Sequence, residues 1–311
     1  MDPGLRFSEA ESVQCIDNKE KTRVSVIMLT YNRPHFLNRA IGSVLEQDYK
    51  DWELIVVDDG SDRRTEQLML EWQARDSRVR YYHRKKAGNI ANAMNFGINQ
   101  ARGEYIAVLD DDDYWLPIDK LSRQVRFLDD NTSYVGCGGG AIVVDENGRE
   151  KLRYVKLQED QALRKWALIS NPIHHSTSMY RRPFIFQCGL YDESLAGFQD
   201  WDVFLKLAKT GRLYNFPEAL VCYTMWHGSG SFLAERANCG AALTIILRHR
   251  KAYQGFVAAF GLSVLHYVYA CLPRRIKQTT FSFLSRAKKR LFTERQAATL
   301  KRSPTEGPSP D

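Results

Sequence analysis

With 311 residues, 44% of them hydrophobic and 26% charged, the chain can bury a large core, which excludes a disordered or low-complexity protein. Its six cysteines (Cys15, Cys137, Cys188, Cys222, Cys239 and Cys271) are scattered without a CxxC pair, which argues against a zinc site or disulfide scaffold and fits a reducing cytosol. The net charge of +7 belongs to the end of the chain: residues 273–311 carry ten Lys or Arg against three acids, so the rest is neutral overall and needs no polyanionic partner.

The opening 22 residues are polar and acidic, unlike a cleavable signal peptide. Val24–Leu29 reads as a buried strand running into Thr30-Tyr31-Asn32-Arg33-Pro34, where a helix can begin with Pro34 in its first turn. Phe36, Leu37, Ala40, Ile41, Val44 and Leu45 share one face of that helix. A second strand, Glu53–Val57, ends in Asp58-Asp59-Gly60-Ser61, and a helix through Leu68, Met69 and Trp72 follows. Arg80–His83 is a third strand and Ile90–Ala101 a third helix, stopped by Gly103. Tyr105–Leu109 is a fourth strand, and a helix starts near Pro117 with Leu121, Val125 and Leu128. Four strand–helix alternations with short connections predict an α/β fold: a mostly parallel sheet flanked by helices.

The fourth strand ends in Asp110-Asp111-Asp112-Asp113. Four carboxylates in a row repel one another and are not expected side by side in a core. At the end of a buried parallel strand they face the crevice where open α/β sheets bind ligands. Carboxylates one residue apart suit a hard cation such as Mg2+ or Mn2+, which keeps part of its shell for phosphates. A solvated acidic turn is the plainer alternative. Thr30-Tyr31-Asn32 and Asp58-Asp59 also follow strands, so these groups are expected in one crevice.

After Asp130 the pattern changes. Gly136-Cys137-Gly138-Gly139-Gly140-Ala141 fits GxGxxG/A in letters, but a strand and turn follow it rather than a helix. The glycines therefore mark a twisted strand or close backbone approach, not a dinucleotide fingerprint. Asn171-Pro172-Ile173-His174-His175 and Gln199-Asp200-Trp201-Asp202 form a second constellation, with a helix over Trp201–Lys209. Asp200 stands where the helix dipole favours a carboxylate, and a simple N-cap is the alternative reading. His174 and His175 either line a ligand crevice or pack as turn residues on Trp166.

From Gly240 the chain is helical in pattern. Residues 255–272 lack formal charge but are short and leucine-poor for a membrane span. Phe281, Leu284, Ala287 and Leu291 then recur at helical spacing beside Arg286, Lys289 and Arg290. That is the makeup of an interfacial helix on an anionic membrane, or of a packed helix with a solvated basic face. Nucleic acid is not an expected partner, because no aromatics interleave with the charges.

In their order, VSVIMLTYNRP, LIVVDDGSD, AGNIANAMNFGI, GEYIAVLDDDDYW and FQDWDVFLKLA resemble family 2 of the glycosyltransferases across about residues 23–231. These are inverting enzymes with a GT-A fold, here of the bacterial cell-surface polysaccharide type. The resemblance implies a nucleotide-sugar donor, usually UDP-linked, with Mn2+ or Mg2+, and a glycan or lipid-linked glycan acceptor. Thr30 and Tyr31 match positions that hold the nucleotide, and Asp59 the residue that meets the uracil edge. Asp110 and Asp112 match the DxD pair, with Asp112 on the metal, Asp110 on the ribose or on the metal through water, and Asp111 beside them on the donor. Asp200 matches the catalytic base, and His227 a histidine that contacts metal or diphosphate. Met94 precedes Asn95 where the family often has arginine, and Thr224-Met225-Trp226 replaces an arginine-containing lead into the His227 loop. Phosphate neutralisation would then rest on the metal, Arg33 or Lys86, with Asn95 as a further donor contact.

These readings divide the chain into a polar segment 1–22, a catalytic domain 23–235 (donor part 23–130, acceptor part 131–235) and a basic helical extension 236–311. The expected protein is cytoplasmic, with peripheral contact to the inner face of the plasma membrane through 255–302. Two other functions fit less of the pattern: a metal-dependent nucleotidyltransferase, and a non-catalytic glycan- or nucleotide-binding module.

Overall fold

The computed structural model describes residues 22–226 and 235–271. The polar first residues, the loop carrying His227 and the basic stretch after Cys271 lie outside the described residues. The chain divides into two compact units, with boundaries unlike those expected from sequence. The first takes residues 1–163, 171–193 and 199–226; the second takes 164–170, 194–198 and 227–311.

Three helices alternate with the first four strands of the first unit. They are β1 (Val24–Thr30), α1 (Pro34–Leu45), β2 (Trp52–Asp58), α2 (Arg63–Arg75), β3 (Val79–His83), α3 (Ile90–Gln100) and β4 (Tyr105–Val108). β1 pairs in parallel with β2 and with β4, and β2 in parallel with β3. β2 is buried at every position and β1 at all but Leu29. Such near-continuous apolar runs are what a parallel strand covered on both faces requires. Glu53, near the start of β2, accepts from Ser25 Oγ at 2.7 Å, Arg102 N at 2.8 Å and Arg80 Nη1 at 2.5 Å. A buried carboxylate needs partners of this kind.

Beyond β4 the sheet becomes mixed. It runs β3-β2-β1-β4-β8-β6-β9-β5, with β7 on β6. The added strands are β5 (Tyr114–Trp115), β6 (Tyr134–Asp145), β7 (Glu150–Tyr154), β8 (Met179–Arg181) and β9 (Arg212–Met225). Among them only β6 and β9 pair in parallel. The helix expected near Pro117 begins later, as α4 (Lys120–Asp130), because Pro117–Asp119 form a turn closed by Lys120 N on the Pro117 carbonyl.

The glycine run lies inside β6 as a buried strand. A Cβ on Gly138 would sit 2.5 Å from Ile173 Cγ2, and one on Gly140 would collide with the Tyr154 carbonyl oxygen. Close approach of neighbouring chain, not ligand binding, is what these glycines serve. α5 (Asp160–Trp166), α6 (Arg182–Gln187) and α7 (Gln199–Thr210) complete the helices before residue 227.

The second unit contains α8 (Glu235–His249) and α9 (Phe256–Cys271). α9 buries Ala259 and Ala270, while Val257 is 83% and Leu265 63% exposed. Among the described residues no helix is long and apolar enough to cross a membrane.

Candidate active site

The parallel registers bring the strand ends together. Thr30 pairs with Asp58, and Leu109 N donates to the Ile27 carbonyl, so the acidic run begins on the edge where β1 and β2 end. Asn32 follows with φ 54°, a left-handed conformation that asparagine tolerates better than most residues. Its backbone N–H donates to Ser61 Oγ at 2.8 Å and its Oδ1 accepts from Asp62 N at 2.8 Å. This turn puts Arg33 at the N-cap of α1 and sends its side chain to the acids.

Of the adjacent acids at the end of β2, Asp58 is wholly buried and accepts from Ser61 N at 2.8 Å and Tyr81 Oη at 2.6 Å. Asp59 is the accessible one. Its two oxygens accept from Ala87 N at 2.9 Å and Gly88 N at 2.7 Å, holding the Lys86–Gly88 loop. Lys86 Nζ lies 3.9 Å from the centre of the Tyr31 ring and donates to its hydroxyl at 2.5 Å. Tyr31, Asp59 and Lys86 therefore share one mouth of the crevice.

The four consecutive acids do not repel one another into solvent as expected. Three are buried, because hydrogen-bond donors, one of them shared, meet each carboxylate. Asp113 accepts from Ser176 Oγ at 2.6 Å and Thr224 N at 3.0 Å. Asp111 accepts from Arg33 Nη1 at 2.7 Å. Asp112 Oδ2 accepts from Arg33 Nη1 at 3.0 Å and from the Trp226 indole N–H at 2.9 Å. Only the Asp110 carboxylate stays open, at 38% exposure, beside His175 Nδ1 at 3.1 Å and Ser176 Oγ at 2.9 Å.

The acids differ sharply in proton affinity. Burial raises Asp111 to about 7, with Asp112 and Asp110 adding to the rise and Arg33 opposing it. Burial pushes Asp113 well above the usual carboxylate range, helped by Asp112 and Asp110. Asp112 is raised for the same reasons, against Arg33 and Trp226. For Asp110, burial pulls upward but loses to the charge and hydrogen bond of His175, and the group is held at about 2. Burial works to lower His175, yet the Asp110 carboxylate outweighs it and the imidazole is raised above its ordinary value.

Asp200 lies in the first turn of α7, and its Oδ2 accepts from Asn171 Nδ2 at 2.6 Å. Lys156 Nζ in turn donates to the Asn171 carbonyl at 2.8 Å. Burial raises Asp200 and the Asp110 charge adds to it, while His175, Trp201 N–H and Lys156 oppose. Asp200 thus feels the charges of Asp110 and His175, at the end of the acidic run. His175 Nε2 meets Tyr191 Oη at 3.1 Å. His174 is held neutral, lowered to about 3 by burial and by Lys156, and its ring faces Tyr223.

Two expected donor contacts need correction. The Asp111 side chain is only 2% exposed and serves as the buried partner of Arg33. Asn95 is 8% exposed and turns inward: its Nδ2 donates to the Tyr191 carbonyl and to Glu193 Oε1, each at 2.9 Å. Its Oδ1 accepts from Tyr191 N at 2.9 Å. Both residues meet structural donors or acceptors that the sequence does not reveal. Thr30, at 3% exposure, lies deep at the end of β1 beside Asp111. His227 lies outside the described residues. Sequence reasoning passed over Lys156 as a partner of Asn171 and Trp226 as a partner of Asp112; nothing in the spacing signals either.

Among the described residues no group of three or more His, Cys, Asp or Glu could hold a metal. The donor set nevertheless fits a hard cation that takes one or two carboxylates and completes its shell with phosphate and water. Asp112 and the more open Asp110 are the oxygens available.

Comparison with known proteins gives these residues a family. The model of glycosyl transferase family 2 matches residues 25–187, over half the chain. An uncharacterized glycosyltransferase of Rickettsia felis is 30% identical over 213 residues, 66% of this chain, but the match spans only 34% of that relative's length. An Escherichia coli UDP-Glc:alpha-D-GlcNAc-diphosphoundecaprenol beta-1,3-glucosyltransferase, WfgD, is 40% identical over 140 residues, 43% of this chain and 54% of its own. Among solved structures, residues 1–349 of Staphylococcus aureus TarS with UDP-GlcNAc align with a TM-score of 0.63 at 18% identity, over 84% of this chain and 75% of theirs. The mannosyltransferase PcManGT of Pyrobaculum calidifontis, with GDP-Man and Mn2+, aligns at 0.59 and 17% identity, over 91% of this chain and 84% of its own. At such identities the structures speak for the fold. With the family model covering the strands that carry Thr30, Asp59 and the acidic run, the chain belongs to glycosyl transferase family 2 and has the GT-A fold.

Proposed function

We propose that the protein is a metal-dependent inverting glycosyltransferase that moves a sugar from a nucleotide-sugar, UDP-linked, to a hydroxyl of a glycan or lipid-linked glycan. The observation that carries this reading is an acidic run answered by Arg33 at the strand ends, with Asp200 near enough to feel the charge of Asp110. Leaving-group neutralisers and a raised carboxylate then face one substrate space. The lipid-linked acceptor named for the Escherichia coli relative supports the acceptor class.

Tyr31 and Asp59 would take the base end of the donor, and Arg33 with Lys86 the diphosphate. Asp112 and Asp110 would hold Mn2+ or Mg2+, which supplies positive charge to the departing diphosphate. Asp200 accepts the proton of the acceptor hydroxyl as that oxygen bonds to the anomeric carbon. The bond from this carbon to the donor phosphate breaks, and its electron pair leaves on the diphosphate. One base suffices for this single displacement. Asn171 and the Trp201 N–H hold the carboxylate in place for the incoming proton. Nucleotide release from a panel of UDP-, GDP- and dTDP-sugars, with acceptor glycans and with Mn2+ or EDTA, tests the reading. Turnover of one donor that EDTA abolishes is expected; metal-independent release, or pyrophosphate as product, would refute it.

Contact with a membrane surface is the second part of the proposal. α9 presents Val257, Leu262, Leu265 and Val268 to solvent, each more than half exposed. Ten Lys or Arg follow in 273–311. Apolar insertion beside basic charge suits an anionic lipid face. The full chain should co-sediment with anionic vesicles at low salt and come off as salt rises. Indifference to those vesicles would remove this part.

A further inference from the structure

Arg33 stands where a cation would act. Its Nη1 lies 2.7 Å from Asp111 Oδ1 and 3.0 Å from Asp112 Oδ2. Its guanidinium carbon lies 5.6 Å from the centre of the Trp226 ring, whose indole N–H shares the same Asp112 oxygen. Neighbouring cations are engaged elsewhere: Arg39 Nη2 donates to the Asp112 carbonyl oxygen and to Thr224 Oγ1, and His175 faces Asp110. One guanidinium thus answers the charge of two carboxylates, and it also feels Asp110 and Asp113. At 29% exposure and on the first residue before a helix, its side chain has solvent to turn into.

We propose that Arg33 is a place-holder for the divalent cation: it neutralises Asp111 and Asp112 in the unliganded protein, disfavours a cation arriving alone, and turns to the diphosphate when cation and nucleotide arrive together. The proposal rests on the metal-dependent reading above. A cation entering alone meets carboxylates already paired and a positive neighbour. A nucleoside diphosphate changes both conditions, since its oxygens give the guanidinium a better partner and free Asp112. Cation and nucleotide then strengthen each other's binding by the same factor, because coupling between two ligands is reciprocal.

The test is Mn2+ binding to the full chain, read from the electron paramagnetic resonance signal of free Mn2+, with and without UDP. Wild type is compared with Arg33→Gln and Arg33→Met; the second keeps an apolar stem against Trp226, so that one folded variant is secured. In wild type, UDP is expected to tighten Mn2+ binding by about tenfold or more, within the usual range of coupling. In either variant Mn2+ alone should bind about tenfold more tightly than to wild type, and UDP should tighten it further by a smaller factor than in wild type, since the direct contact of cation and diphosphate remains. If a folded variant binds Mn2+ alone no more tightly than wild type while the coupling is undiminished, Arg33 is not the place-holder, although the metal reading stands. If wild type takes up no Mn2+ even with UDP, the metal reading fails and this proposal with it.

Discussion

Replacing Asp200 with asparagine is expected to lower transfer by about 10²–10⁴-fold, the range over which a positioned general base acts. Asparagine keeps the shape and can still accept from Asn171 Nδ2 at Oδ1, so the start of α7 should survive. UDP affinity should stay within about threefold of wild type, since Asp200 is proposed to serve the acceptor rather than the nucleotide. The pH profile separates a base from a structural cap. Asp200 is raised above the ordinary carboxylate range, chiefly by burial. A base works deprotonated, so kcat should fall as pH drops through that raised pKa, on an acid limb displaced upward from that of a free aspartate. In Asp200→Asn the limb should vanish with the activity. A variant that keeps its rate and its acid limb would reduce Asp200 to an N-terminal helix charge.

The second large effect belongs to Asp112. Asp112→Asn keeps an oxygen for Arg33 and the Trp226 indole but loses the charge that a cation needs. Turnover in saturating Mn2+ should fall by about 3 kcal/mol, roughly a hundredfold, as charge on the leaving diphosphate goes unanswered. UDP binding measured in EDTA should hardly change. The melting temperature should hold or rise, because the fold disfavours the ionised form of this carboxylate. A variant as active as wild type with Mn2+ would move the metal to other oxygens. A collapse of the melting temperature would show that the lost activity reports folding instead.

The parallel half of this fold is readable from residue order alone. Val24–Thr30 and Trp52–Asp58 are apolar runs ending in polar residues, and that pattern has few other solutions. The mixed half is not readable, because β6, β8 and β9 meet across long separations that no local period encodes. The same limit shaped the site. The order of letters brought out the acidic run and Asp200, yet it could not tell which carboxylate is buried. Asp111 and Asp112 are neighbours of one type, and they are told apart by Trp226, which lies 114 residues after Asp112. Asn95 looked like a donor contact because its segment matches one. Its amide is used instead by Tyr191 and Glu193, about a hundred residues on.

That use of Asn95 is part of a larger fastening. Asn89, Asn92 and Asn95 fall three apart at the start of α3 and all donate to Glu193, the first to its carbonyl and the others to its two carboxylate oxygens, each at 2.9 Å. Glu193 stands seven residues before Asp200 in the chain. Anyone grafting the 171–200 segment from a relative, to change which acceptor is glycosylated, inherits this obligation. A transplanted segment without a carboxylate at the Glu193 position would take that acceptor from the Asn92 amide and one of two acceptors from the Asn95 amide. A recipient without the asparagine ladder would leave the carboxylate unheld. Segment and ladder therefore have to travel as one cassette, and separate shuffling of the two would yield chimaeras that fold yet hold Asp200 in the wrong place.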